Sequence, residues 1–466
     1  MKNVNKLLAL GLSVAMIFGV AACGNDTPAN TQSTSESKTT SESSVSTATS
    51  EVEEEKEQVV LKMIKNVDPA SDAAVQALNE KFMEEYPWIT IDLTLEGNNY
   101  GELQKTRLAA EDVDIMSANI YGSLKPEWVI GATPGQNALW AREGLILDIT
   151  GEEFLDNWSA DLIESYCSLD GKVYGVPGGF AATNGLYYNK KMFEQYNLSE
   201  PKTWQEFIDL CETLKANGVA PLTSGVKDGW PTNMLWYAIV SSCEEDALEF
   251  VHKLWSGDRK FNDDETMKIW KKIEQLTPYW EDNIASVDYG TVTGRFVSGK
   301  AAMMNDATWS ATVIKDADPN FEFGYFAIPG DKAPADGGEV QLKGKPEGGW
   351  VGIGTTKHPE EVKLWMEFYS RPENYQDYIN ACGLLPTMAG IEMTDPFMAT
   401  LSEKAIELGD HFESVYFKPS GTGQYATFYA SRFLTIYGGE IDKVEDLANL
   451  AQKDWEEAMT KVKNAQ

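Results

Sequence analysis

From residue 59 onward, short apolar runs alternate with amphipathic stretches, and that alternation most constrains what the chain can fold into. Val59-Val60-Leu61-Lys62-Met63-Ile64 reads as a strand buried on both faces. Residues 71–85 follow, with Val75, Leu78, Phe82 and Met83 at helical spacing. Residues 88–95 alternate as a second strand, 101–111 form a short helix, and 113–116 form a third strand. Strands interleaved with helices predict a parallel α/β sheet. Such sheets bind ligands at the carboxyl ends of their strands. That points to Asn66-Val67-Asp68, to Glu96-Gly97-Asn98-Asn99-Tyr100, and to residues 117–122.

The pattern resumes downstream, with a strand at 185–189 and helices at 192–196 and 204–217. Thr203 is placed to cap the longer helix, Glu206 to complete a capping box, and Gly218 to end it. A long helical block is expected over 244–275, an exposed loop over 330–349, and helix over 405–408 and 444–463. There is no internal repeat.

The N-terminus carries a separate message. Lys2 and Lys6 precede an apolar run over 7–20, which ends in Val20-Ala21-Ala22-Cys23. A charged start, a short apolar stretch and small residues at the cut make a secretory signal peptide. The cysteine that follows resembles a bacterial lipobox. The mature chain would then begin at Cys23, acylated with a lipid such as palmitate, on the outer face of the cytoplasmic membrane. The run is short of the roughly 20 apolar residues that span a bilayer, so cleavage and lipid anchoring are expected rather than a transmembrane helix. Residues 24–57 are dominated by Ser, Thr, Glu, Asn and Ala, with no aromatic residue. Such a segment buries too little apolar surface to offset its ordering entropy, and reads as a tether. Its reach is roughly 30–35 Å, extended by the charges of Glu51-Val52-Glu53-Glu54-Glu55.

Composition excludes some partners. With 72 acidic against 39 basic residues, the net charge is -33, which argues against a nucleic-acid partner. About 400 residues remain for folding after signal and tether, enough for two lobes. Cys167, Cys211, Cys243 and Cys382 are widely spaced, and whether Cys211 and Cys243 pair stays open. His252, His358 and His411 are far apart in sequence, which gives poor support for a zinc site or a histidine triad, and no metal or other cofactor is implied.

Several segments, in order, resemble one family. They are Asp170-Gly171-Lys172-Val173-Tyr174-Gly175-Val176-Pro177, Leu186-Tyr187-Tyr188-Asn189-Lys190-Lys191-Met192-Phe193 and Pro201-Lys202-Thr203-Trp204-Gln205-Glu206-Phe207. Phe296-Val297-Ser298-Gly299-Lys300-Ala301-Ala302-Met303 and Gly348-Gly349-Trp350 complete the set. Together they look like an extracellular solute-binding protein, family 1, of the maltose-binding-protein-like kind that feeds sugar-importing ABC transporters. The resemblance implies a two-lobed, periplasmic-binding-protein-like α/β fold whose hinge the chain crosses three times. By similarity the crossings fall near 177–182, 350–354 and 417–421. After the signal (1–22) and tether (23–57), lobe 1 would comprise 58–178 with 350–416, and lobe 2 179–349 with 417–466. The Gly178-Gly179 and Gly348-Gly349 pairs suit a hinge, since glycine absorbs backbone change at little cost. The implied partners are a carbohydrate, an oligosaccharide by the number of aromatic residues, and the permease of an ABC importer. A monomer is expected.

Sugars need aromatic plates for their C–H faces and carboxylates or amides for their hydroxyls. Asp228-Gly229-Trp230-Pro231 lies where the resemblance puts a lobe-two sugar loop, with Trp230 as plate and Asp228 as acceptor. Asn305-Asp306-Ala307-Thr308-Trp309 has the same character, with Trp309 as second plate beside Asp306. Trp350 is expected as a third plate at the hinge. Lobe one would supply Glu96, Asn98, Asn119 and Tyr121, with Phe180 and Tyr425 as further contacts. Ala118 and Ala181 stand where some relatives place an aromatic residue or a carboxylate. Other motifs carry less. Gly294-Arg295-Phe296-Val297-Ser298-Gly299-Lys300 begins like a phosphate loop but continues with Ala301, which lacks the magnesium-binding hydroxyl. Asp263-Asp264-Glu265 reads as a helix start, not a calcium loop. A secreted glycoside-processing enzyme would need a catalytic carboxylate pair. A peptide or polyamine binder, or a surface receptor without a transporter, is a further alternative.

Overall fold

The computed structural model describes residues 56–465, except 98, 121–125, 133–134, 245, 334–335, 337–340, 404–405, 409–411, 428–440 and 442. The signal, most of the tether, Cys23, Asn98 and Tyr121 lie outside the described residues. Lys56–Gln466 forms one compact unit.

Its first stretch contains β1 (Val59–Asn66), α1 (Pro69–Glu85), β2 (Ile89–Glu96), α2 (Tyr100–Ala109), β3 (Ile115–Ser117), α3 (Gln136–Arg142), α4 (Ala160–Cys167) and the pair β4 (Ser168–Leu169) and β5 (Lys172–Val173). The middle stretch runs β6 (Gly179–Ala182), β7 (Gly185–Asn189), α5 (Lys190–Gln195), α6 (Trp204–Ala216), β8 (Ala220–Thr223), α7 (Trp230–Cys243), α8 (Ala247–Ser256) and α9 (Asp264–Leu276). It continues through α10 (Tyr289–Val297), β9 (Ala301–Asn305), α11 (Ser310–Ala317), β10 (Phe323–Ala327) and β11 (Leu342–Glu347). The last stretch has β12 (Trp350–Gly352), α12 (Pro359–Ser370), α13 (Pro372–Cys382), α14 (Pro396–Ser402), β13 (Ile406–Leu408), α15 (Phe412–Val415) and α16 (Val444–Asn464).

Two sheets organise these elements. In the first, ordered β12-β3-β1-β2, β1 lies parallel to β2 and β3, as the alternation predicts, while β12 closes the edge antiparallel to β3. Leu61 and Met63 of β1 pack with Val75 and Phe82 of α1 and with Trp365 and Tyr369 of α12. The second sheet, β10-β7-β9-β8, is mixed: β8 and β9 are parallel, but β7 runs against both β9 and β10. β7 enters this sheet directly from β6, with only Thr183 and Asn184 between them and no crossover helix.

A ribbon links the sheets. β6 pairs antiparallel with β11, which passes through a bend at Gly348 (φ 72°) and Gly349 into β12 of the first sheet. Bridges join Val176 to Trp350 and Phe180 to Leu385. A Cβ on Gly178 would lie 1.9 Å from the Glu347 carbonyl oxygen, and one on Gly344 1.9 Å from that of Ala181. Glycine is required there because two backbones touch.

Four expectations need correcting. The helical block at 244–275 is two helices, α8 and α9, divided where Gly257 takes a left-handed conformation (φ 86°) and Asp263 caps the next helix. The loop expected over 330–349 contains β11, a largely buried strand paired on both sides. Residues 406–408 are a strand parallel to β11, not helix. The region after Asp228 is helix α7 from Trp230 onward. Among the described residues, Cys167, Cys211, Cys243 and Cys382 are free thiols, so Cys211 and Cys243 are not paired. No helix among them is long and apolar enough to cross a membrane.

Candidate functional site

The parallel strands β8 and β9 send their carboxyl ends toward the same edge of the second sheet. The loops that leave them therefore meet. The β8 loop turns through Gly229 (φ 81°) and starts α7 at Trp230, with Pro231 in the first turn. The β9 loop carries Asp306 and brings Trp309 to the start of α11. Asn305 ties the loops together, its Nδ2 donating to the Pro231 carbonyl at 2.5 Å. Between them comes Tyr289, at the start of α10, which the sequence reading missed. A Cβ on Gly225 would lie 2.9 Å from the Tyr289 Cα, so the β8 loop and α10 also make a close approach.

The result is an aromatic trio. The Trp230 ring lies 4.5 Å from Tyr289 and 6.3 Å from Trp309, centroid to centroid. Trp230 is 42% exposed, the most open ring of the three. Tyr289 and Trp309 are half-buried. Asp228 is exposed, and its Oδ2 accepts the Tyr289 backbone N–H at 2.6 Å.

Asp306 sits beneath the trio with 0% exposure. Its Oδ1 accepts from Trp309 Nε1 at 3.0 Å, from its neighbour Ala307 N at 2.8 Å and, more weakly, from the Tyr289 hydroxyl at 3.4 Å. Its Oδ2 accepts from Ser310 Oγ at 2.6 Å. Trp309 Nε1 also donates to the Tyr289 hydroxyl at 2.8 Å. Burial pushes the Asp306 carboxyl up to about 6, against the opposing pull of these donors. Burial and then the Asp306 charge push the Tyr289 phenol well above its ordinary range.

The β9 loop is fastened to the ribbon as well. Ala182 N donates to Thr308 Oγ1 at 3.1 Å, Thr308 N returns a bond to the Ala182 carbonyl at 3.0 Å, and Tyr187 donates to the Ala307 carbonyl at 3.0 Å. Trp309 also packs against the core of the first sheet.

On the first-sheet side, Asp68, at the end of β1, exerts its charge on Tyr289 and on Tyr378. Glu96, partly buried, ends β2. Asn119 Oδ1 stands 2.5 Å from where a Cβ on Gly349 would be, against the ribbon, and the Asn119 carbonyl accepts from Asn137 Nδ2 at 3.0 Å. The remaining expected residues lie elsewhere. Trp350 has 0% exposure and packs 5.2 Å from Trp365 in the core of the first sheet. Phe180 is buried in the second sheet's core. Tyr425 lies against α16, its N–H donating to Asp454 Oδ2 at 2.8 Å. The phosphate-loop-like segment is the end of α10 running into β9, with no phosphate-loop geometry. Among the described residues no cluster of His, Cys, Asp and Glu could hold a metal ion.

Two α/β sheets joined by a ribbon, with aromatic rings gathered where strand ends converge, have the architecture of a two-lobed binding protein. The sequence model of the bacterial extracellular solute-binding protein family matches residues 66–376, and the chain belongs to that family. The multiple sugar-binding protein of Streptococcus mutans is 25% identical over 385 residues, covering 78% of this chain and 86% of that protein. Among solved structures, RafE in complex with raffinose superposes with a TM-score of 0.70 at 22% identity, covering 86% of this chain and 100% of that one. A chitin oligosaccharide binding protein gives 0.67 at 23% identity, covering 86% and 99%. At these identities the structural likeness establishes the two-lobed fold expected from sequence.

Proposed function

We propose that this protein captures an oligosaccharide between its lobes and delivers it to an ABC importer, held at the outer face of the cytoplasmic membrane by a lipid on Cys23. The observation that carries the reading is the trio of Trp230, Tyr289 and Trp309 beside Asp228. Exposed rings stack on the C–H faces of sugars, and the free carboxylate oxygen accepts from their hydroxyls. Glu96 and Asn119, with Asn98 and Tyr121 from the same loops, would supply polar contacts from the other lobe. Trp350 and Phe180 belong to cores, Tyr425 is half-buried against one, and all three are left out of the contact set. The sugar ligands named for the Streptococcus mutans relative and for the raffinose and chitin-oligosaccharide proteins support the same solute class.

The lobes would follow the two sheets. Met398 and Leu401 pack with Phe323 and Tyr325, and Phe412 with the core of the second sheet, so the third crossing is better placed near Leu385 than near 417–421. Capture and release leave the solute unchanged, and one chain suffices.

The test is a thermal-shift screen of the purified protein against mono- and oligosaccharides, peptides and polyamines, with the ligand recovered afterwards. A ligand that binds only the native state raises the melting temperature. An oligosaccharide recovered intact is the expected result. Cleaved sugar would favour a glycoside-processing enzyme, and a peptide or polyamine hit would replace the solute class. The anchor is tested separately: mass spectrometry of the N-terminal peptide of the cell-bound protein should show a lipid on Cys23, and an unmodified Cys23 would overturn lipid attachment.

A further inference from the structure

We propose that Asp306 is a positioning residue that touches no ligand: its carboxylate locks the Trp309 indole and the Tyr289 ring in one relative orientation, so that the aromatic surface is preset before a ligand arrives. Both oxygens are spent inside the protein, Oδ1 on Trp309 Nε1, Ala307 N and the Tyr289 hydroxyl, and Oδ2 on Ser310 Oγ. With 0% exposure, no face of the group is open to a solute. The Trp309–Tyr289 hydrogen bond closes a triangle with the carboxylate, the single indole N–H being shared between the two acceptors, so neither ring can turn without breaking a part-buried bond. An indole held only by packing could change rotamer. One that donates to a buried anion is held more strongly, because bonds to a charged acceptor are roughly twice as strong as neutral ones. Ordering the plates in advance removes that entropic cost from binding.

The groups facing Asp306 are hydroxyls rather than cations. Tyr187 of β7, Tyr289 of α10 and Tyr325 of β10 all feel its charge, and Asp68 faces Tyr289 from the first-sheet side. Among the described residues, the cationic neighbours along α10 and α11 are engaged elsewhere, Arg295 with Glu281 and Lys315 with Asp395. Among the described residues, hydrogen-bond donors are what oppose burial of the carboxylate, and its pKa stands at about 6. Its protonation is therefore visible in an accessible range and marks the state of the anchor.

The experiment needs no ligand, so failure of sugar capture and failure of the anchor are separate results. Tryptophan emission is titrated from about pH 4.5 to 8 for the wild-type protein and for Trp309→Phe, and their difference isolates Trp309. The expected difference signal changes with a midpoint near 6. Asp306→Asn, which keeps the shape but has no proton to lose, should abolish the transition. Ser310→Ala, which removes the donor at 2.6 Å, should move the midpoint upward, and it keeps the test open should Asp306→Asn fold poorly. A Trp309-dependent transition that survives in Asp306→Asn, a midpoint unmoved by Ser310→Ala, or no transition in the folded wild-type protein would each overturn the assignment.

Discussion

At the scale of single residues, exposure separates a plate from a packing residue where sequence cannot. Trp230 and Trp350 both follow glycines, yet one shows a broad face to solvent and the other shows none. Trp230→Ala should therefore weaken sugar binding by about 1–3 kcal/mol in calorimetry, a size typical of aromatic contacts with polar rims, while leaving the melting temperature nearly unchanged. Trp350→Ala should do the reverse, costing about 3–5 kcal/mol of stability by opening a cavity beside Trp365. Asp306 gives a pH signature of its own. Its carboxyl is raised from 3.8 to about 6 on folding, so between those values the folded state holds a proton that the unfolded chain has released. The associated stability is fully present below the lower value and is lost as pH rises through about 6. The stability of Asp306→Asn relative to wild type should accordingly climb between about pH 4 and 7, by up to roughly 3 kcal/mol, and then level off. A flat difference in denaturant titrations would show that burial does not hold the proton there.

At the scale of elements, local signals are legible and remote ones are not. The start of α6 is written in five consecutive residues: Thr203 Oγ1 accepts the Glu206 N–H at 3.2 Å, and Glu206 reaches back to Lys202 N at 2.7 Å, one residue beyond the box expected. The strands and helices of residues 59–117 are legible too, because most of their apolar spacing matches the faces they bury, but β1 is not buried on both faces as expected, since Val60 is exposed. Strand β11 is not. Leu342-Lys343-Gly344-Lys345-Pro346-Glu347 has the composition of a loop, and its pairing with β6 and β13, both far away in sequence, makes it a strand. The same reason hid Tyr289: an aromatic residue after Asp288 at a helix start is a weak signal until the β8 and β9 loops close on it. Of the candidate site, Asp228 and Trp230 are legible through the loop that the family resemblance marks, and Asp306 and Trp309 through the similar segment that follows Gly299-Lys300-Ala301-Ala302-Met303. The core position of Trp350 is a property of the packed sheet. The ribbon makes a prediction at this scale. Gly178→Ala places a methyl 1.9 Å from the Glu347 carbonyl oxygen, so β6 and β11 must separate, at an expected cost of about 2–4 kcal/mol in thermal unfolding. Gly101→Ala, with nothing within 4 Å at the start of α2, should be neutral or slightly stabilising.

For the whole molecule, the question is what couples a ligand at the trio to the position of the other lobe. The β9 loop is bonded to β6 through Thr308 and Ala182, and β6 pairs with β11, which runs into β12 of the first sheet. The aromatic site is thus built on the same strand that starts the ribbon, and Trp309 already packs against the first sheet's core. A ligand that contacts both lobes can shift the population toward a closed arrangement only by the free energy of those extra contacts. One that contacts the trio alone would bind without moving the lobes. Small-angle scattering distinguishes these cases: saturating oligosaccharide should reduce the radius of gyration of the wild-type protein. Replacing the proposed first-sheet contacts Glu96 and Asn119 with Ala should leave a bound but more open form, because on the proposed reading the trio still holds the sugar while the far lobe has lost its share of the contacts. An unchanged radius in the saturated wild-type protein would mean that the sugar is held on one lobe, and that the ribbon is a fixed strut rather than a hinge.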